Sequence, residues 1–192
     1  MRLVLASASP RRAELLRAAG FSFEALSVDV DERLRPAEGA ASYVRRLAAE
    51  KSALALDALR VTSLAQSPTV VIGADTVVVV DDDILGKPGD DDRARGMLRR
   101  LSGRTHEVVT GVSVRTEERE ATSVDVTRVW FTPLTDREID WYEATGECRD
   151  KAGAYAIQGG AARFISRIEG SYSNVVGLPV ATVHALLRQL GL

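Results

Sequence analysis

The sequence predicts a mixed α/β fold, and three observations predict it. The run Thr69–Val80, VVIGADTVVVV after its first residue, is rich in β-branched side chains and reads as a strand. Two alternating segments, 107–115 and 122–131, read as a long hairpin with one face buried, joined through the charged stretch 116–120. Around them lie stretches of helical periodicity with recognisable start and stop signals.

Taken in order, Arg2–Ala6 is a short apolar strand. Ser9 and Pro10 then open a helix, Ser as N-cap and Pro at the first helical position, and Gly20 ends it. A second helix spans 42–59. The β-branched run is interrupted at Gly73-Ala74-Asp75-Thr76, and Asp81 to Asp83 form a turn from which Ile84 and Leu85 start a return strand. Asp90 caps a helix carrying Met97, Leu98 and Leu101, which stops before Gly103. Thr135 and Glu138 match a capping box for a helix through Tyr142. Residues 164–168 form a strand, and Leu178-Pro179 leads into a C-terminal amphipathic helix.

Composition narrows the function classes. The chain has 192 residues, 45% hydrophobic and 27% charged, which describes a folded globular protein. With no repeat, low-complexity stretch or linker-like break, residues 1–192 read as a single domain, with room for two lobes around a central cleft. The formal net charge of −2 argues against a polymeric nucleic-acid partner, which calls for a basic excess. A small anionic ligand needs only a local cluster of cations. No apolar run reaches a membrane span, and the start reads as a core strand rather than a targeting signal. The lone Cys148 excludes a disulfide framework and is read as a small hydrophobe; the expected setting is a reducing cytoplasm.

Several residues sit where packing alone would not put them. Asp75 lies inside the most apolar strand-like segment, where a carboxylate costs several kcal/mol unless compensated. It is either a functional acid or the mark of a strand break facing solvent, which Gly73 would permit. Lys51 falls on the apolar stripe of the 42–59 helix, beside Leu47 and Ala48. It either snorkels to the edge or turns its ammonium into a cleft. The segment Ser7-Ala8-Ser9-Pro10-Arg11-Arg12 places hydroxyls, helix N-terminal amides and two guanidiniums at a strand-to-helix turn. That is an anion site or an ordinary capped helix. It is not a Walker A loop, and no G-x-G-x-x-G occurs. Lys87 in Gly86-Lys87-Pro88, Lys151 in Asp150-Lys151-Ala152-Gly153, and the polar loop 170–174 are further candidates for ligand contact. Asp81 to Asp83 and Asp90 to Asp92 fit a turn and a helix start better than metal clusters. His106 and His184 lack metal spacing and are expected to be structural, and no G-x-S-x-G elbow supports acyl-enzyme chemistry.

Together these segments resemble the Maf-like family of nucleoside triphosphate pyrophosphatases. The matching stretches, in order, are LASASPRR, Asp31-Glu32, Glu50-Lys51, GADTVV, GKP, LSGRTHEVVTGV, DKAGAYAIQG and GSYSNVVGLP, and they cover nearly the whole chain. The resemblance implies an elongated mixed sheet flanked by helices, akin to inosine triphosphatases, and a homodimer. It places Asp75 at the family's proton acceptor and Glu32, Lys51 and Lys87 in its catalytic cleft. Arg11, Thr76 and Gln158 match positions tied to substrate choice, and this combination looks like the branch acting on dTTP and UTP. The 7-methyl-GTP branch tends to carry Trp, Gln and Glu there.

The mechanism so implied has Glu32 and Asp75 holding a divalent cation, Mg²⁺ or Mn²⁺, or its water. Arg11, Arg12, Lys51 and Lys87 neutralise phosphates, while Ser7, Ser9 and Lys151 contact substrate. Asp75 activates water for attack at the α-phosphorus, and the Gln158 amide pairs with a pyrimidine edge. A nucleotide-binding regulator of septum formation, with little or no catalysis, is the alternative; a phosphatase releasing orthophosphate is a third.

Overall fold

In the computed structural model, which describes residues 2–62 and 68–192, the strands form one seven-stranded mixed sheet. The strands are β1 (Arg2–Ala6), β2 (Glu24–Ala25), β3 (Thr69–Val80), β4 (Asp83–Leu85), β5 (Thr105–Arg115), β6 (Glu120–Phe131) and β7 (Ile165–Glu169). Their order is β2-β1-β3-β5-β6-β7, with β4 paired to β3. β1 is parallel to β2 and β3, whereas β3–β4 and β6–β7 are antiparallel. The helices are α1 (Pro10–Ala18), α2 (Ala40–Thr62), α3 (Asp91–Leu101), α4 (Asp136–Ala144), α5 (Tyr172–Val176) and α6 (Val180–Gln189), with two short 3₁₀ turns at Ala152–Ala154 and Gly160–Phe164. Among the described residues, no helix is long and apolar enough to cross a membrane.

The chain divides into two compact units. The first comprises Met1–Asp75, Thr110–Asp125 and Gly177–Leu192; the second comprises Thr76–Val109 and Val126–Val176. No composition break marks this division, because β3, β5 and β6 each pass from one unit to the other in mid-strand.

In the first unit, strand alternation sorts the core into two faces. Leu3 and Leu5 of β1, with Val70, Ile72 and Ala74 of β3, pack against Leu16 of α1 and Val183, Leu186 and Leu187 of α6. The intervening Val4, Ala6 and Val71 pack against Ala55, Leu56 and Leu59 of α2. Strands covered on both sides read as continuous apolar runs, which is why β3 lacks a polar face. Helix α2 is longer than the periodicity of 42–59 suggests, and it lies directly on backbone. A Cβ at Gly73 would overlap the carbonyl oxygen of Ala48 and stand 2.8 Å from the Ser52 nitrogen. A Cβ at Gly111 would overlap the Val44 carbonyl and stand 2.7 Å from the Arg45 nitrogen.

The interruption expected at residues 73–76 is absent: β3 runs unbroken through them. Gly73 serves helix contact, not a break. β5 is likewise buried on both faces over most of its length, not on one. Both hairpin strands begin two residues earlier than the alternation indicates; for β6 the reason is that Thr116 N–H donates to Arg119 O at 2.8 Å and closes a tight connection. The segment 170–174 is not wholly loop, since α5 starts within it, and the last strand starts one residue late because Phe164 closes a 3₁₀ turn.

The second unit packs Val78, Val80, Leu98, Leu101, Phe131 and Tyr142 in one core. Asp90 caps α3 by accepting from Arg93 N–H at 2.7 Å, and Thr135 and Glu138 complete the capping box of α4. In the stretches 81–83 and 90–92, Asp81 pairs with Arg104, Asp83 with Arg100 and Asp91 with Arg149. Cys148 is fully buried, and burial pushes its thiol up. His106 is buried edge-on to Phe131 and Tyr155, at 5.1 and 5.3 Å between ring centroids, and its Nε2 lies 2.8 Å from Tyr155 OH.

Two outcomes follow from these contacts. Gly73→Ala lowers stability by about 2–4 kcal/mol, because the methyl must displace the α2 main chain; the midpoint of urea unfolding measures it. Burial lowers the His106 pKa to about 4 from 6.5. Between those values the unfolded chain binds the proton and the folded chain does not, so stability is present above 6.5 and is lost as pH falls. The loss amounts to about 2 kcal/mol from pH 7 to pH 5. His106→Gln removes that part of the pH slope in the same unfolding experiment.

Candidate active site

Asp75 lies in the middle of β3, two residues beyond Gly73 and so on the face that receives α2. Its side chain is buried, and Oδ1 accepts from Lys51 Nζ at 2.7 Å. Lys51 is also buried, being one residue before Ser52 on the turn of α2 that rests on Gly73. The same Nζ donates to Glu32 Oε1 at 2.7 Å. Two carboxylates that are far apart in sequence therefore meet on one ammonium. Of the two readings of Asp75, solvent exposure at a strand break is excluded. Lys51 turns its head onto acids rather than to the helix edge.

Beside this pair lies the turn that follows β1, whose Ala6 is in register with Gly73. Ser7 Oγ accepts from Ser9 N–H at 3.2 Å and from Arg12 Nη1 at 3.2 Å. Ser9 holds the N-cap position of α1 without a side-chain cap bond. Arg12 Nη1 also reaches Ala74 O at 2.9 Å, the carbonyl just before Asp75, and Nε reaches Gly177 O at 2.8 Å. Arg12 thus ties the β1 turn, the β3 strand and the start of the C-terminal segment together. Burial lowers its pKa; the negative field of Asp75 opposes this, Arg11 adds to it, and Glu32 opposes it. These four side chains consequently share one electrostatic neighbourhood. Arg11 is half-buried in the first turn of α1.

The other candidate residues belong to the second unit. Thr76 follows Asp75 in β3, half-buried, on the opposite face of the strand. Lys87 is exposed, and its loop is fastened to the Lys151 loop where Gly153 N–H donates to Gly86 O at 3.1 Å. Lys151 Nζ donates to Glu147 O and Asp150 Oδ1, both at 2.7 Å, which orders its own loop. Gln158 is exposed on a turn held at both ends: Ala156 N–H donates to Tyr142 OH, and Gly160 N–H donates to Glu147 Oε2, each at 2.9 Å.

Among the described residues there is no cluster of three or more His, Cys, Asp or Glu side chains able to hold a metal. Glu32 and Asp75 nevertheless bring hard oxygen donors together around the Lys51 ammonium. Two carboxylates with phosphate oxygens are a usual arrangement for Mg²⁺, which rarely takes an all-protein cage.

The sequence profile of the Maf-like protein family matches residues 2–190. The chain belongs to the Maf-like family. It is 48% identical over 188 residues to a dTTP/UTP pyrophosphatase of Photobacterium profundum, covering 98% of this chain and 96% of that protein. A dTTP/UTP pyrophosphatase of Methylococcus capsulatus is 50% identical over 192 residues, covering 100% and 92%. One of Geotalea uraniireducens is 51% identical over 191 residues, covering 98% and 95%. This Maf-like chain thus matches those proteins from end to end, not through one motif.

Tyr43, Arg46 and Glu38 were absent from the sequence-based candidates, although all three bear on the segment that carries Glu32. The i, i+3 spacing of Tyr43 and Arg46 on α2 was the available signal, but their partners lie in irregular chain with no periodicity.

Breaking the buried pair from one side leaves a carboxylate in a low-dielectric site. Lys51→Met is therefore expected to destabilise by about 3 kcal/mol. The Lys51→Met/Asp75→Asn double variant should cost clearly less than the two single losses added together, in denaturant unfolding.

Proposed function

We propose that this Maf-like chain hydrolyses dTTP and UTP to the nucleoside monophosphate and pyrophosphate. The observation that carries the reading is Asp75, Lys51 and Glu32 gathered beside the middle of β3, in a chain about half identical to proteins named dTTP/UTP pyrophosphatases.

A triphosphate brings about four negative charges, so the site must balance charge before water can approach phosphorus. Lys51 holds Glu32 and Asp75 facing one point and supplies one positive charge there. Arg11 and Arg12 add the charge of two guanidiniums, and the Ser7–Ser9 turn presents hydroxyls and helix N-terminal amides to phosphate oxygens. Because Arg12 directs Nε and Nη1 into protein carbonyls and Ser7, it works as a fixed, preorganised charge as well as a strut. Glu32 and Asp75 would hold Mg²⁺ or Mn²⁺, which when bound neutralises phosphate charge and acidifies nearby water. Asp75 accepts the proton of the attacking water. The new bond forms at the α-phosphorus, the α–β bridging bond breaks, and pyrophosphate leaves. Lys87 and Lys151 provide further phosphate contacts. Gln158, carrying a donor and an acceptor on one exposed amide, reads the pyrimidine edge, with Thr76 shaping its surroundings. A homodimer in the cytoplasm completes the proposal on the strength of the family resemblance.

The test is a product analysis with each NTP and Mg²⁺ or Mn²⁺. Pyrophosphate with the monophosphate from dTTP and UTP is expected. Orthophosphate would instead mean a phosphatase, and binding without turnover a nucleotide-binding regulator. Asp75→Asn should lower kcat by about 10²-fold or more while the protein stays folded; near-normal turnover rules out the base. Gln158→Glu should change the ranking among UTP, dTTP and 7-methyl-GTP, and an unchanged ranking removes it from specificity.

A further inference from the structure

Glu32 lies in residues 26–39, a stretch between β2 and α2 with neither helix nor strand. Its main chain belongs to no strand and no helix, yet its carboxylate meets Lys51. Side chains of α2 hold this segment. Three successive carbonyls accept from two side chains of that helix: Asp31 O from Arg46 Nη1 at 3.3 Å, Glu32 O from Tyr43 OH at 2.7 Å, and Arg33 O from Arg46 Nη2 at 3.1 Å. Arg46 also grips the far end of the segment, donating to Glu38 Oε1 at 2.7 Å and Oε2 at 2.8 Å. The side chains of this pair are only 11% and 9% exposed, so it is a sheltered, two-pronged contact rather than a surface ion pair. The guanidinium further stacks over the Tyr43 ring, 5.4 Å from its centroid.

We infer that Arg46 and Tyr43 are positioning residues for Glu32, fixing the main chain on both sides of it so that its carboxylate reaches Lys51. The inference rests on the reading that Glu32 serves phosphate hydrolysis. Helical spacing explains why one helix can do this: Tyr43 and Arg46 are adjacent on one face, and Lys51 projects from the same helix, so clamp and target form one rigid body. A lysine at position 46 keeps the charge but has no planar fork, and could not serve two carbonyls and a bidentate carboxylate together.

The experiment measures kcat and KM for dTTP with Mg²⁺, and the Kd of Mn²⁺ by calorimetric titration. It compares the unmodified chain, Tyr43→Phe, Arg46→Lys and Glu32→Gln, with each of the first two substitutions repeated in the Glu32→Gln background. Tyr43→Phe is expected to lower kcat about 10-fold and Arg46→Lys up to about 100-fold, with Mn²⁺ binding weakened in the same order. KM should move little. In the Glu32→Gln background neither substitution should cause further loss, because their effect passes through Glu32. Equal losses with and without Glu32, or unchanged kcat and Mn²⁺ binding in a folded Tyr43→Phe protein, overturn the inference. Tyr43→Phe removes one hydroxyl and decides the matter should Arg46→Lys fail to fold. Glu32→Gln with normal turnover would instead defeat the role given to Glu32 itself, and the positioning inference with it.

Discussion

The close seating of α2 on the sheet is the constraint from which the first unit's chemistry follows. At Gly73 and Gly111 there is no room for a side chain between helix and strand backbone, so the helix axis is set by main-chain contact rather than by side-chain packing. That contact fixes which residues of α2 face which residues of β3. Ser52 stands over Gly73, Lys51 precedes it, and Asp75 follows two residues along the same strand face. The Lys51–Asp75 bond is thus a geometric result of a glycine two residues away. A bulkier residue there would lift the helix and carry the ammonium with it.

Buried charge is costly, and the molecule meets that cost by sharing partners. Lys51 serves two carboxylates, Arg12 serves two carbonyls and a hydroxyl, and Arg46 serves two carbonyls and Glu38. Each cation therefore does structural work while leaving charge in place at the candidate site. The negative environment also reaches Tyr43, whose pKa is pushed up to about 12, by burial first and then by the fields of Asp75 and Glu32. The neutral phenol is the hydrogen-bond donor to Glu32 O.

The segments with local signals were legible in sequence. Ser9-Pro10, Asp90 and the Thr135/Glu138 pair announced their helices, because caps are made within a few residues. Asp75 and Lys51 stood out as charges on apolar elements, and Ser7 to Arg12 as an anion-suited turn, for the same local reason. The family resemblance then assigned Glu32 and Gln158, which no local pattern distinguishes. What misled was Gly73: read along the chain it suggested a break in β3, whereas its small size answers a helix packed above it. β5 read as half-buried because its polar residues, Thr110 and Ser113, are in fact buried, Ser113 being bonded to Ser52 and Glu120.

The sequence by itself determined the element types, the mixed α/β class, the family, and the suspicion attached to Asp75. These depend on periodicity, capping and residue order, which are properties of neighbouring positions. Only the tertiary structure decided that Asp75 is buried in an unbroken strand, that Lys51 binds it and Glu32 at once, and that Arg46 and Tyr43 hold the Glu32 segment. Those facts depend on contacts across 8 to 24 positions of chain, whose partners are chosen by where α2 can approach the sheet. A linear pattern does not encode that approach, and two glycines permit it.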